Sequence, residues 1–301
     1  MAKIKQTRAD RIFDAVVLIL MTLLMLIVLY PLIFIVSASV SNPDNVNQGK
    51  VWLLPVGFTL EGYYRVFQDA EILIGYRNTF FYTIVGTMLN LALTLTAAFS
   101  LSKRDLAGRN VFMFLIAFTM YFSGGMIPSY LLVKSLGLLN TWWVLIITSG
   151  ISTYNLIISR TFFQNGVPQD IEEAAFIDGC SPVRVFISVV LPLSKALIGV
   201  MALYYGVSHW NSYFSALIYV TDRTKIPLQL VLREILIEQQ MKATMMQAGD
   251  FVDELLLDAQ VRLAALVRFS VIIVSSLPVL IVYPFLQKYF NQGVMIGSLK
   301  G

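Results

Sequence analysis

Few residues in this chain are placed to do chemistry. It carries one histidine, His209, and one cysteine, Cys180. A lone cysteine forms no internal disulfide, and the two together fall short of the ligand set of a Cys/His metal site. No G-x-x-x-x-G-K-[ST] run is present, so the chain has no phosphate loop of its own. No nucleophile, metal set or acid/base pair clusters along the sequence. Three groupings remain. Thr83, Thr87, Asn90 and Thr94 recur at helical spacing, and Thr148, Ser152, Asn155 and Ser159 repeat the pattern. Tyr204, Tyr205, His209, Trp210, Asn211 and Tyr213 crowd rings and hydrogen-bonding groups into one short run. Glu172 to Pro182 reads EEAAFIDGCSP, charged at one end and broken by a glycine.

Each polar stripe falls on one helical face. Ser, Thr and Asn act as glue between membrane helices by hydrogen-bonding across them. The same face can also wall a polar pathway, and Asn90, Ser152 and Asn155 would then border a substrate path. Tyr204, Trp210 and Asn211 would join them. A sugar ring presents apolar C–H faces and hydroxyl edges, which suit aromatic faces beside amide and phenol groups. An aromatic belt at a membrane interface gives the same composition, so the sequence leaves both readings open.

The elements that must position these residues are set by lipid. Of 301 residues, 57% are hydrophobic and 13% charged, where a soluble domain carries about 25% charged residues. The missing charge is absent from blocks about as long as a bilayer-spanning helix, roughly 20 residues. These are Ala15 to Val36, Thr79 to Ser100, Val111 to Val133, Thr141 to Ser159, Leu193 to Val220 and Phe269 to Phe285, with only Lys195 near the start of the fifth. They predict an all-α integral membrane protein of about six spans. Gly124, Gly125 and Pro128 interrupt the third span, and Pro278 lies in the last. The first span is too long for the apolar core of a secretory signal, and no clear small-residue cleavage site follows it.

Basic residues flank the spans unevenly. Lys3, Lys5, Arg8 and Arg11 precede the first, Lys103, Arg104 and Arg109 follow the second, and Lys288 and Lys300 follow the last. With six spans these segments share one side, which places both termini in the cytoplasm. The net charge of +4 is then a topology signal. No basic cluster interleaved with aromatics lies on a soluble face, which argues against nucleic acid as a partner. Acidic residues are absent from all the spans, so the Asp and Glu relays of ion-coupled carriers have no counterpart here. Energy for a transport step has to enter from outside the spans.

EEAAFIDGCSP lies between the fourth and fifth spans, on the inner side. Asp170 with Glu173 fits a D-x-x-E capping box. Ala174 and Ala175 make a slim helical surface, with Phe176 and Ile177 as apolar contacts. Asp178 precedes Gly179, which stops the helix in a left-handed conformation. Ser181 caps a second helix with Pro182 at its first position. A plain amphipathic connector on the headgroups needs no more than this.

The run EEAAFIDGCSPVRVFISVVLPL closely resembles the EAA signature of permease subunits of ABC importers, E-A-A-x-x-x-G followed by L-P. Glu173, Ala174, Ala175, Gly179, Leu191 and Pro192 fall on its defining positions, and Cys180 departs from the usual small Ala. The stretch FSGGMIPSYLLVKSLGLLNTWW and the ending GVMIGSLKG resemble the maltose-type, carbohydrate-uptake branch, close to the lipoprotein-associated oligosaccharide permeases of Gram-positive bacteria. The resemblance implies a type I importer permease in a bacterial cell membrane. It has a cytoplasmic N-terminal segment, 1–14, and one transmembrane domain, 15–301, holding the coupling loop 165–192 and a cytoplasmic tail 288–301. It also implies that Glu172, Glu173, Ala174, Ala175, Phe176, Asp178, Gly179, Leu191 and Pro192 seat against an ATP-binding subunit. Gly297, Ser298, Leu299 and Lys300 form a tail directed toward that subunit. The implied partners are a second permease subunit, a pair of ATP-binding subunits holding ATP and Mg, an extracellular solute-binding lipoprotein and an oligosaccharide. This chain would itself bind no cofactor or metal and catalyse no covalent step. The alternatives are a secondary carrier, an ABC permease for a non-sugar solute and a membrane-embedded enzyme.

Overall fold

The structure is a computed structural model that describes residues 7–247 and 267–284. Helices dominate, and among the described residues the only β pairing is a bridge between Ser41 and Phe58. In chain order the helices are α1 Arg8–Ser39, α2 Pro43–Asn47, α3 Glu61–Gln68, α4 Ala70–Ser102, α5 Arg109–Tyr121, α6 Met126–Ser135, α7 Val144–Ile147 and α8 Thr153–Asn165. There follow α9 Gln169–Ile177, α10 Pro182–Val185, a π-helical turn Phe186–Val190, α11 Leu191–Leu193, α12 Lys195–Trp210, α13 Phe214–Tyr219 and α14 Leu228–Gln247. The last described helix is α15, Val267–Pro284.

Three of these, α1, α4 and α15, are each long and apolar enough to cross a membrane. Two bent pairs raise the number to as many as five: α5 with α6, at 116°, and Pro182–Leu193 with α12, at 84°. The sequence marks an interruption in the third span and none in the fourth or fifth, and the chain bends in all three. The third span breaks at Gly124 and Gly125, where Gly125 holds φ +84° in a region that favours glycine. The fourth divides into α7 and α8, so Thr148 and Ser152 lie off the helical face of Asn155 and Ser159. The fifth ends at Trp210 and resumes as the short α13. Prolines and glycines at such points are compatible with lipid when neighbouring helices re-satisfy the freed backbone groups.

The chain divides into two compact units, Met1–Asp69 with Glu234–Ser276 and Ala70–Arg233 with Leu277–Gly301. In the first, Thr7 and Asp10 form a capping box that starts α1. The apolar stretch of α1 is 0% buried, so its side chains are left to lipid or another chain. At its end the Ser270 hydroxyl donates to the Ser39 carbonyl, and Phe34 meets Phe269 edge to face.

The second unit is organised around α4, which packs along α8 and α12. Its core joins Leu95, Ala98 and Phe99 of α4 to Leu156 and Phe163 of α8, Phe186 of the π turn, and Leu197 and Met201 of α12. The Phe99 and Phe186 rings pack at a tilt with centroids 4.9 Å apart. This core is continuous from the middle of α4 to the loop that carries EEAAFIDGCSP, so that loop rests on the bundle. Toward the start of α4, Asn78 donates to the carbonyls of Thr224 and Ile226, and Thr79 accepts from the Leu228 amide. These bonds fix where α14 begins.

Candidate functional site

Helix α9 carries the signature. It starts two residues earlier than the sequence predicted, with Pro168 at the N-cap and no side-chain cap bond. Asp170 therefore sits in the first turn and does not form the expected capping box, although with Glu172 it still favours the helix dipole. The end of the helix matches the sequence reading. Asp178 is the C-cap and Gly179 has φ +82°. The Gly179 amide donates to the Phe176 carbonyl and the Cys180 amide to the Ala175 carbonyl, both at 3.0 Å. This pair of bonds is a Schellman turn. Ser181 then caps α10, with Pro182 at its start.

The two glutamates of the loop have different surroundings. Glu172 is buried and forms an ion pair with Lys103 at the end of α4, and Lys103 also lies over the ring of Phe99. Glu173 is exposed. Ala174 is exposed, Ala175 and Cys180 rest against the core, and Leu191 does the same while Pro192 is exposed. Phe176, Ile177 and Val183 are exposed at 43%, 86% and 67%. Beneath the loop lies a charged cavity of about 690 Å³ lined by Lys103, Arg104, Arg109, Arg160, Glu172 and Glu173. In the sequence Lys103 stands only as a basic flank of the second span. No spacing rule links it to Glu172, because the pairing spans two elements.

Farther along α4 the first polar stripe forms a buried node. The Asn90 amide nitrogen donates to the carbonyls of Ser149 and Gly150, at 2.6 and 2.7 Å, in the break between α7 and α8. Its oxygen faces Nε2 of His209 at 2.6 Å. The Tyr205 hydroxyl bridges Thr94, at 2.6 Å, and the Ser152 amide, at 3.1 Å, while the Ser152 side chain caps α8. A Cβ on Gly86 would collide with the His209 ring, so glycine there is what lets α12 approach. Asn90, Thr94 and Ser152 thus hold a broken helix in register.

The remaining path candidates are separated. Asn155 and Tyr204 line one apolar cavity of about 510 Å³ with Tyr154 and Tyr283. Trp210 is buried against Phe80 and Tyr76, at centroid distances of 5.3 and 6.4 Å. Asn211 is exposed and lines a second cavity of about 240 Å³ with Ser149, Ser208, His209, Ser212 and Tyr213. The tail residues Gly297, Ser298, Leu299 and Lys300 lie outside the described residues.

No family model matches the chain, but full-length relatives do. Protein LplC of Bacillus subtilis (strain 168) is 42% identical over 295 residues, covering 98% of this chain and 97% of that protein. The polygalacturonan/rhamnogalacturonan transport system permease protein YtcP of the same organism is 40% identical over 293 residues, covering 97% and 99%. The crystal structure of a bacterial ABC transporter involved in the import of the acidic polysaccharide alginate matches with a TM-score of 0.84 at 36% identity, over 96% of this chain and 100% of that one. The apolar helices and these likenesses define a multi-pass helical protein of the cytoplasmic membrane. The chain belongs to the permease subunits of ABC sugar importers, which are transport components and not enzymes.

Proposed function

We propose that this chain forms half of the translocation path of an ATP-driven oligosaccharide importer and takes its power stroke through α9. The observation that carries this is the build of the loop. Glu173, Ala174, Phe176, Ile177 and Val183 are exposed and uncovered by this chain. The Schellman turn and the Glu172–Lys103 pair tie their scaffold to α4. An exposed apolar surface held rigidly in this way suits a groove on another subunit. A slim Ala-Ala face permits close approach. Two ATP-binding subunits, holding ATP and Mg, would sit on the cytoplasmic side. A second permease subunit would complete the path, and a solute-binding lipoprotein would deliver sugar from outside. Both termini would lie in the cytoplasm, and the tail 297–300 would run toward the ATP-binding subunits.

In the power stroke, closure of the ATP-binding pair pulls α9. The ion pair and the shared core pass the movement to α4, and Asn90 carries it to the α7–α8 break and to α12. The substrate is an oligosaccharide, in keeping with the sugars named for the relatives.

The test is cross-linking. With Cys180→Ser and Ala174→Cys, a short bifunctional thiol reagent should join this chain to the ATP-binding subunit, and sugar uptake should require ATP. Absence of a cross-link in a complex that still transports would remove α9 from the interface. Uptake abolished by a proton uncoupler while ATP stays high would make the chain a secondary carrier.

A further inference from the structure

Resting on the oligosaccharide reading, we infer that Arg233 and the cavity beside Tyr213 form a subsite for a uronic acid residue, with the guanidinium receiving the sugar carboxylate. The cavity of about 240 Å³ is below the roughly 300 Å³ where drug-sized sites begin, and fits a single sugar ring. Its wall is rich in hydroxyls and amides: Ser149, Ser208, Asn211, Ser212 and Ser215. Each such group both donates and accepts, as sugar hydroxyls do. Tyr213 supplies an aromatic face and is 41% exposed, so the cavity is open at that side.

Arg233 adjoins the cavity through Tyr213. Its guanidinium lies 5.3 Å from the centroid of the Tyr213 ring, and its residue is half-buried. Arg223 pairs with Glu71 and Lys225 with Asp222, while Arg77 lies over the Trp142 ring and donates to the Thr224 carbonyl. Among the described residues Arg233 has no carboxylate partner. The ring offsets only part of the cost of a partly desolvated cation. A planar fork of donors over an aromatic platform is suited to bidentate capture of a carboxylate. A neutral sugar would occupy the hydroxyl-lined cavity and leave the guanidinium unmatched. A uronic acid satisfies both.

The experiment measures direct binding to the complete detergent-solubilised importer, without the solute-binding protein. The probes are trigalacturonate, trimannuronate, methyl-esterified trigalacturonate and maltotriose. Wild type should bind an acidic trimer more tightly than the ester. Arg233→Gln should weaken acidic binding by about tenfold or more, as for loss of a charge-assisted hydrogen bond, and leave the ester unchanged. Arg233→Lys should restore part of the loss. Equal weakening of acid and ester, or none, would make Arg233 a structural cation and overturn the inference. Binding of maltotriose but neither acidic trimer would overturn it and leave the oligosaccharide importer standing. Binding of no probe would remove the sugar reading as well.

Discussion

Asn90 and His209 meet inside the bundle with Oδ1 and Nε2 2.6 Å apart. The amide nitrogen of Asn90 is committed to the carbonyls of Ser149 and Gly150, so its oxygen faces the imidazole and Nε2 must carry the proton. One side chain therefore serves three elements. Asn90→Ala strands two carbonyls and a ring N–H, each costing about 1–3 kcal/mol when buried without a partner. The expected loss is about 3 kcal/mol or more, read as a lower melting temperature of the solubilised protein. Thr22→Val, on the outward face of α1, is the control. Equal melting of both variants would show that the node contributes nothing.

Glu172 and Lys103 form another contact between elements. Removing one partner leaves a charge in a partly buried place, at a cost of about 1–3 kcal/mol. Glu172→Gln and Lys103→Gln should each lower sugar-stimulated ATP hydrolysis while the ATP-binding subunit still co-purifies. The swap Lys103→Glu with Glu172→Lys should recover part of it. Full stimulation in both single variants would show that the pair transmits nothing.

At Gly179 the cost is conformational. No atom lies within 4 Å of where a Cβ would stand, but φ is +82°. Gly179→Val is therefore strained by about 1–2 kcal/mol, whereas Gly179→Asn, whose side chain tolerates the left-handed region, should cost less. Membrane insertion should be normal in both. Binding of the ATP-binding subunit should fall in the valine variant alone. Equal binding by the two would show that the turn geometry does not matter for docking.

Asp222 gives a pH prediction. Hydrogen bonds from Lys225 and Thr224 hold its carboxyl down at about 2. Asn140, at φ +61°, accepts at its side-chain oxygen from the Thr221 and Asp222 amides, and Lys225 donates to its carbonyl. A depressed carboxylate stabilises the loop above its unfolded value of about 3.9 and loses that contribution as pH falls through the folded value. Hydrogen exchange of 219–225 should stay protected near pH 5 and rise between about pH 4 and pH 2, after correction for intrinsic exchange. Asp222→Asn should flatten the acid-side change. A wild-type loop that opens already near pH 6 would contradict this.

The orientation is tested with an impermeant thiol reagent on intact cells. In a Cys180→Ser background, Asn47→Cys should react and Asp170→Cys should not until the membrane is opened. The reverse pattern would invert the topology.

The sequence by itself determined the solvent and the short helix that carries the E-A-A-x-x-x-G run. Charge-free blocks of about 20 residues point to helices in lipid, because an unpaired backbone group there costs several kcal/mol. Gly179 was legible as a helix stop because only local sterics decide it. The E-A-A-x-x-x-G run was legible because its residues lie on one short helix. The tertiary structure decided where the long blocks break. Thr141 to Ser159 has the composition of one helix, yet it is α7 and α8, because Asn90 from α4 and Tyr205 from α12 satisfy the backbone groups of the break. Local propensity carries no record of those distant partners. For the same reason the sequence left the first stripe open between helix glue and a pathway wall, where the structure shows Asn90 bonded to the α7–α8 break and Trp210 packed against Phe80 and Tyr76. Lys103 and Arg233 took on their surroundings only when helices far apart in sequence were brought side by side.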